Sequence, residues 1–260
     1  MEFHHFKRTF RKIKKTPSSI IGMFSPRKIS MAVSYMFEMS EYEFVHRLTG
    51  CSEKKFFRLL EELNSQKKFF NALDKKHKKY LKDSIWERFQ PWFRILYILI
   101  RIQKPEKMVE TGTFSGLSTS IILLAMKKNR GGHLYSIDLP IRNPKKAKKD
   151  WILEPLPPGT HPGFAIPNVL RSRWELIEGD SGKNLPKLLE KLGEIEIFFH
   201  DSDHSYDHMM MEFGTAWPYI KSRGLLLADN VDWNQSFKDF GKKVGHKQNQ
   251  KFGFGGILKH

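Results

Sequence analysis

The stretch Val109-Glu110-Thr111-Gly112-Thr113-Phe114-Ser115-Gly116-Leu117-Ser118 decides how this chain folds. An apolar strand ends in a carboxylate, Glu110. It passes through a turn punctuated by Gly112 and Gly116 and runs into the apolar helical pattern Ile121–Met126. Glycine at such a turn allows positive φ and lets a ligand come close to the main chain. The start of the next helix offers unpaired N–H groups to a negatively charged ligand group. The pattern is that of a strand–loop–helix nucleotide site.

Outward from this stretch, short apolar runs alternate with helical patterns from Lys107 onward, which is the grammar of a parallel sheet built from βαβ units. Strands are expected at Met108–Glu110, Gly132–Asp138, Trp174–Glu178, Ile195–His200, Gly224–Asp229 and Phe254–Leu258. Helices are expected at Ser118–Lys128, Gly182–Leu192, Asp207–Ile220 and Trp233–Lys243. The fold class is therefore α/β: a doubly wound, mostly parallel sheet over residues 105–260. Residues 139–172 are rich in Pro, Gly and Lys and too long for an ordinary loop. They are expected to form an insertion that covers the site as a lid. Residues 31–104 show helical periodicity (Phe56-Phe57, Leu59-Leu60, Leu63; Trp86, Phe89, Trp92-Phe93, Leu96) and form a helical N-terminal extension. Residues 1–30, basic and broken by Pro17 and Pro26, read as a flexible arm or a membrane-surface amphipathic segment.

The net charge of +17 is placed unevenly. Residues 1–104 hold 23 Lys/Arg against 10 Asp/Glu, and the remainder holds 22 against 18. A surplus of this kind suits an anionic membrane surface, a phosphorylated carrier or nucleic acid, or else it is a solvated lysine-rich face. The single cysteine, Cys51, excludes an internal disulfide and a Cys-rich zinc site. Phe3–Lys15 is too basic for a secretory signal. The longest apolar run, Ile95–Ile100, is far short of the roughly 20 residues of a membrane span. A cytoplasmic protein, peripheral to a membrane at most, is expected.

A dinucleotide site would want G-x-G-x-x-G and an acid about 20 positions on. Here Phe114 stands where the middle glycine should be, and the acid ending the second strand, Asp138, comes 28 positions after Glu110. Acids at both strand ends suit a cationic ligand that carries a ribose, and S-adenosylmethionine is such a ligand. The loop resembles motif I of the class I S-adenosylmethionine-dependent methyltransferases, whose sheet is Rossmann-like. More closely it resembles the catechol and caffeoyl-CoA O-methyltransferases (E-x-G-x-F/Y-x-G-x-S). That resemblance, over about residues 105–260, implies that Glu110 and Gly112 line the methionine end and that Ser118 binds its carboxylate. It places Asp138 on the ribose and Gly179-Asp180-Ser181 beside the adenine. Thr113, Phe114, Gly116 and Asp201 complete the expected cofactor site.

Two more strands end in polar clusters, H-D-S-D-H-S-Y at residues 200–206 and A-D-N-V at 228–231. In a doubly wound sheet such ends meet at the ligand crevice, so Asp201, Asp229 and Asn230 would converge as hard oxygen donors suited to Mg²⁺, Mn²⁺ or Ca²⁺. The metal-dependent O-methyltransferases carry D…D-N at the matching places, which implies the same metal trio here. His204, three residues after Asp201, is the expected general base, with Asp201 beside it in the catalytic set. It departs from the lysine of the catechol subgroup, whereas D-x-D-H-x-Y resembles a group that includes macrolide-sugar O-methyltransferases. The bland alternative is a histidine oriented by Asp203 for structure only. A rival set, His200, Asp201, His204 and His208, would suit zinc or iron, but His200 should point opposite Asp201.

The D-S-D-H segment lacks the N/D-P-P-Y that clamps a flipped base. The expectation is a metal-assisted O-methyltransferase acting on a sugar or other small hydroxyl acceptor, lipid- or carrier-linked. A nucleic-acid methyltransferase gripping phosphates through the basic helices is the alternative. A non-catalytic cofactor-binding protein is the third reading, disfavoured by intact Glu110, Asp138, Asp201, Asp229 and Asn230.

Overall fold

A computed structural model describes residues 39–142 and 155–260. The expected arm over 1–30, the start of the helical extension and the middle of the 139–172 insertion lie outside the described residues. Among the described residues five helices come first: α1 (Glu41–Thr49), α2 (Glu53–Asn64), α3 (Lys67–Tyr80), α4 (Ile85–Arg88) and α5 (Trp92–Gln103). Then follow β1 (Lys107–Thr111), α6 (Leu117–Asn129), β2 (His133–Asp138), β3 (Trp174–Glu178), α7 (Ser181–Leu192) and β4 (Ile195–His200). The chain continues through α8 (Tyr206–Ala216), β5 (Ile220–Ala228), α9 (Ser236–Lys243), β6 (Gln248–Lys251) and β7 (Phe254–Leu258). Short 3₁₀ turns precede β3 and β5.

The strands form one sheet in the order β3-β2-β1-β4-β5-β7-β6. β1 to β5 are parallel, and β7 returns antiparallel against β5 and β6. Strand order reverses between β1 and β4, so the carboxyl ends of these neighbours border the crevice where such sheets bind ligands. The period of two sorts the strand residues onto two cores. Met108, Ile197, Phe199, Leu225 and Leu227 join one buried cluster, while Val109, Phe198 and Leu226 join the other. The first cluster also takes in α1, α2, α3 and α5, with Trp92 stacked on Phe254 (4.9 Å, 11°) and Phe44 against the same ring. The N-terminal helices thus share the core of the sheet.

Helix starts follow the sequence signals: Ser40 and Ser52 accept from the Glu43 and Lys55 amides, and Ser84 with Glu87 forms a capping box. Three expectations needed adjustment. The helix expected to reach Ile220 ends at Ala216, because Pro218 has no N–H to continue it. The one expected from Trp233 starts at Ser236, whose amide Asn234 caps. Polar β6 was not expected at all; it pairs only with β7, where main-chain bonding suffices.

Arg101 ties α5 to α2 and α6: its Nε and Nη2 donate to Glu62 (2.6 and 3.0 Å), Tyr97 donates to the same carboxylate, and another nitrogen reaches Asn129. Arg101→Met should lower the unfolding free energy by about 1–3 kcal/mol in urea titration. An unchanged midpoint and slope would remove this clasp from the account of how the extension is held.

Candidate functional site

The carboxyl ends of β1, β2, β4 and β5 surround a cavity of about 700 Å³. Gly112, at φ +85, brings the turn after β1 so close to the segment after β4 that an added Cβ would lie 1.9 Å from the Asp201 carbonyl oxygen. The Gly112 amide donates to the Ile137 carbonyl, and the Asp201 amide donates to the Thr111 carbonyl. Three strand ends are thereby locked in register by main-chain bonds. Asp138 Oδ2 accepts from the amides of Thr113 (2.6 Å) and Phe114 (2.8 Å), so one of its carboxylate oxygens holds the loop. Burial pushes the Asp138 carboxyl upward against these two bonds.

Of the expected cofactor residues, Gly112, Thr113, Phe114, Ser118, Asp138, Gly179, Asp180, Ser181 and Asp201 all line the cavity. Two do not, and their roles need correction. Glu110 is fully buried beneath the loop, where it accepts from the hydroxyls of Ser118 (3.2 Å), Thr119 (2.8 Å) and Ser136 (2.7 Å). It orients the loop and the first turn of α6 from below. Desolvation raises its pKa to about 7 despite the three hydroxyls. Gly116 is the left-handed cap of α6, and a Cβ there would strike Ile166 at 2.5 Å. It makes room for the end of the insertion, whose Gly163 and Ala165 amides donate to the Phe114 and Ser115 carbonyls. Leu139, Pro140, Ile141 and Leu156, at the described ends of the insertion, also line the cavity.

Asp201, His204 and Asp229 each place one potential ligand atom within 4.8 Å of the others. Desolvation and the Asp229 charge raise Asp201 well above the usual carboxylate range. Desolvation takes Asp229 to about 7, against a main-chain bond from Asn230 and a hydrogen bond from the Trp92 indole. Two desolvated carboxyls, one of them raised further by the charge of the other, fit a bound cation, which would restore both to the charged form. Asn230 adjoins this group: its side-chain amide is 3.1 Å from His204 Nε2, while Nδ1 of that ring is buried with no partner among the described residues. Desolvation, reinforced by His200, lowers the His204 pKa to about 3. Such an imidazole stays neutral, the form that either a metal ligand or the general base expected from sequence requires.

The group of close ligand atoms contains neither His200 nor His208, so the rival four-residue metal set is not assembled. His200 meets a residue that the sequence reading missed. Glu212, wholly buried on α8, accepts from His200 Nδ1 (2.6 Å), Thr111 Oγ1 (2.5 Å) and Ser202 Oγ (2.9 Å), and His208 Nε2 lies 2.9 Å away. Burial opposes its ionisation, but the two histidines outweigh that and hold its pKa well below the usual range. The signal was an acid on the buried apolar stripe of α8 (Met209, Phe213, Ala216), four residues after His208. Glu87, Arg88, Gln90, Trp92 and Phe93 were also missed as wall residues of the cavity, because only the fold brings them there.

Residues 109–231 match a family model described as a methyltransferase domain. That match and the Rossmann-like sheet support an S-adenosylmethionine-dependent methyltransferase. Among solved structures, a Klebsiella pneumoniae protein provisionally assigned as an O-methyltransferase superposes with a TM-score of 0.53 at 16% identity, over 78% of this chain and 94% of that one. The O-methyltransferase TomG of Streptomyces achromogenes, involved in tomaymycin synthesis and solved in complex with SAM, gives 0.50 at 14% identity, over 75% and 92%. At these identities the likeness establishes the shared fold. A search of curated proteins gave no match. No helix among the described residues is long and apolar enough to cross a membrane.

Glu110 supplies a pH test of this methyltransferase. With a folded-state pKa of about 7 against 4.5 in the unfolded chain, the native state holds the extra proton between those values. Its contribution to stability is therefore lost as pH rises through that window. The stability of the wild type minus that of Glu110→Gln should fall from pH 4.5 to 7 and level off above. A difference that stays flat in denaturant titrations would show that Glu110 is ionised in the fold throughout.

Proposed function

We propose that this methyltransferase methylates a hydroxyl oxygen on a sugar or similar small polar acceptor, with a divalent cation held by Asp201, Asp229 and one ring nitrogen of His204. The observation that carries the reading is the meeting of two carboxylates and a neutral imidazole on one wall of the cofactor cavity. Mg²⁺ or Mn²⁺ suits such an oxygen-rich set. Polar groups on the wall contributed by the N-terminal helices (Glu87, Arg88, Gln90) favour an acceptor that makes several hydrogen bonds. A nucleic-acid acceptor has only the net charge in its favour.

Bound S-adenosylmethionine supplies an electrophilic methyl carbon on sulfur. A bound cation supplies a Lewis acid that makes a neighbouring hydroxyl easier to deprotonate. The chain supplies alignment, which dominates an in-line displacement. Asp138, fixed through one oxygen by the Thr113 and Phe114 amides, has its other oxygen left for a ribose diol. Ser118 and the loop amides sit at the turn into α6, where a carboxylate of the cofactor is favoured. Asp201 places negative charge beside the space for the sulfonium. Asn230 lies within hydrogen-bond distance of the His204 ring, and Trp92 lines the cavity together with Asp229. The acceptor hydroxyl gives its proton to water, its oxygen bonds to the methyl carbon, and the C–S pair returns to sulfur, leaving S-adenosylhomocysteine.

Asp229→Asn and treatment with EDTA should each reduce transfer of labelled methyl groups to hydroxyl acceptors by about 100-fold or more. Mg²⁺ or Mn²⁺ should restore the EDTA-treated wild type, while calorimetric affinity for S-adenosylhomocysteine is kept. Undiminished transfer in EDTA would overturn the cation, and labelled nitrogen or nucleic acid in place of an ether would overturn the acceptor class.

A further inference from the structure

Helix α3 carries six lysines and one acid, Asp74, in fourteen residues. Its inward face is apolar, with Phe70 and Leu73 buried and His77 beside them. At 100° per residue, Lys67, Lys68, Lys75, Lys78 and Lys79 fall within an arc of roughly 120° on the opposite face. All five are exposed. Lys76, on the flank, is engaged differently: it donates to the Ile166 carbonyl (2.9 Å) and to Asn168 Oδ1 (2.7 Å).

This lysine face works against the helix that bears it. Lys67 and Lys68 occupy the first turn, where the helix dipole disfavours cations, no acidic residue offsets them, and Gln66 makes no side-chain cap. Lys75 and Lys79 are like charges four residues apart. Only Lys78 has an acidic partner among the described residues, Asp74 at 2.8 Å. Local stability does not account for this arrangement, whereas a counter-charge outside the molecule does.

We propose that the lysine face of α3 (Lys67, Lys68, Lys75, Lys78 and Lys79) docks the methyltransferase on an anionic phospholipid surface. Exposed aromatic rings follow directly, Tyr80 at the end of α3 and Trp86 in α4, and such rings favour the headgroup region. The same stretch of chain runs on to Glu87 and Arg88 in the cavity wall, so a docked surface lies a few residues from the acceptor side of the site. Nucleic acid fits less well. The face is one convex helix, and Trp86 packs against Phe70 and Phe89, which occupy ring surface that base stacking needs. The inference concerns an interaction surface and stands whichever acceptor the cavity takes.

The test is co-sedimentation of the full chain with phosphatidylcholine vesicles, with and without phosphatidylserine, over a range of salt. The wild type should bind only the anionic vesicles, and less as salt rises. The triple variant Lys68→Glu, Lys75→Glu, Lys79→Glu should lose about 100-fold in vesicle affinity. A control with the same charge change elsewhere (Lys187→Glu, Lys191→Glu, Lys238→Glu) should stay near the wild type, with both variants melting cooperatively. Equal losses in the two variants, no wild-type binding to anionic vesicles, or a triple variant that keeps vesicles but loses RNA would each overturn the proposal. Methyl transfer is not read in this assay, so its outcome is separate from that of the proposed reaction.

Discussion

The close crossing of two chain segments at the centre of the sheet governs the rest of this molecule. Gly112 lies against the main chain of Asp201 at a distance that no side chain tolerates, and bonds from Asp201 to Thr111 and from Gly112 to Ile137 hold the crossing. With the strand tips drawn together, Asp138, Asp201 and Asp229 must share one cavity. Desolvation is the first source of the raised pKa values there, and at Asp201 the charges of Asp229, Glu110 and Asp138 add to it. A site built this way is prepared for positive charge before any ligand arrives, because the main chain has already met the cost of assembling the acids.

Beneath the cavity a second layer of polar groups has no such exposure. Glu110 under the loop and Glu212 under the β4 end are both sealed from solvent, yet they titrate in opposite directions. The difference lies in their partners. Hydroxyls share density with Glu110 without bringing charge, whereas imidazoles stabilise the anion at Glu212. Glu212 reaches Thr111 on β1, His200 and Ser202 around the end of β4, and His208 on its own helix. One side chain thus joins the two strand ends whose crossing shapes the cavity.

Much of this was legible in the residues alone, for identifiable reasons. Strands β3, β4 and β7 fall where apolar runs ended by polar or glycine residues place them, and Asp138, Asp201 and Asp229 line the crevice. Local signals stopped short where partners are distant in sequence. Glu110 read as a ligand contact because it ends a strand, but which side of the loop it faces depends on Ser118, Thr119 and Ser136 taking its oxygens. Gly116 read as a ligand glycine, although Ile166, fifty positions on, is what requires it. His204 read as a base from spacing, while its neutral state comes from burial and from His200 next to it. Strand β6 carries no apolar alternation, and its place in the sheet comes from main-chain pairing with β7.

Trp92 and Phe254 both lie outside residues 109–231, one before the family match and one after it. Yet they stack on each other, and Trp92 lines the same cavity as Asp229, which is inside that span. The recognisable module is therefore smaller than the heritable one. Shuffling or grafting this methyltransferase into another architecture has to carry α5 and the terminal hairpin along with it.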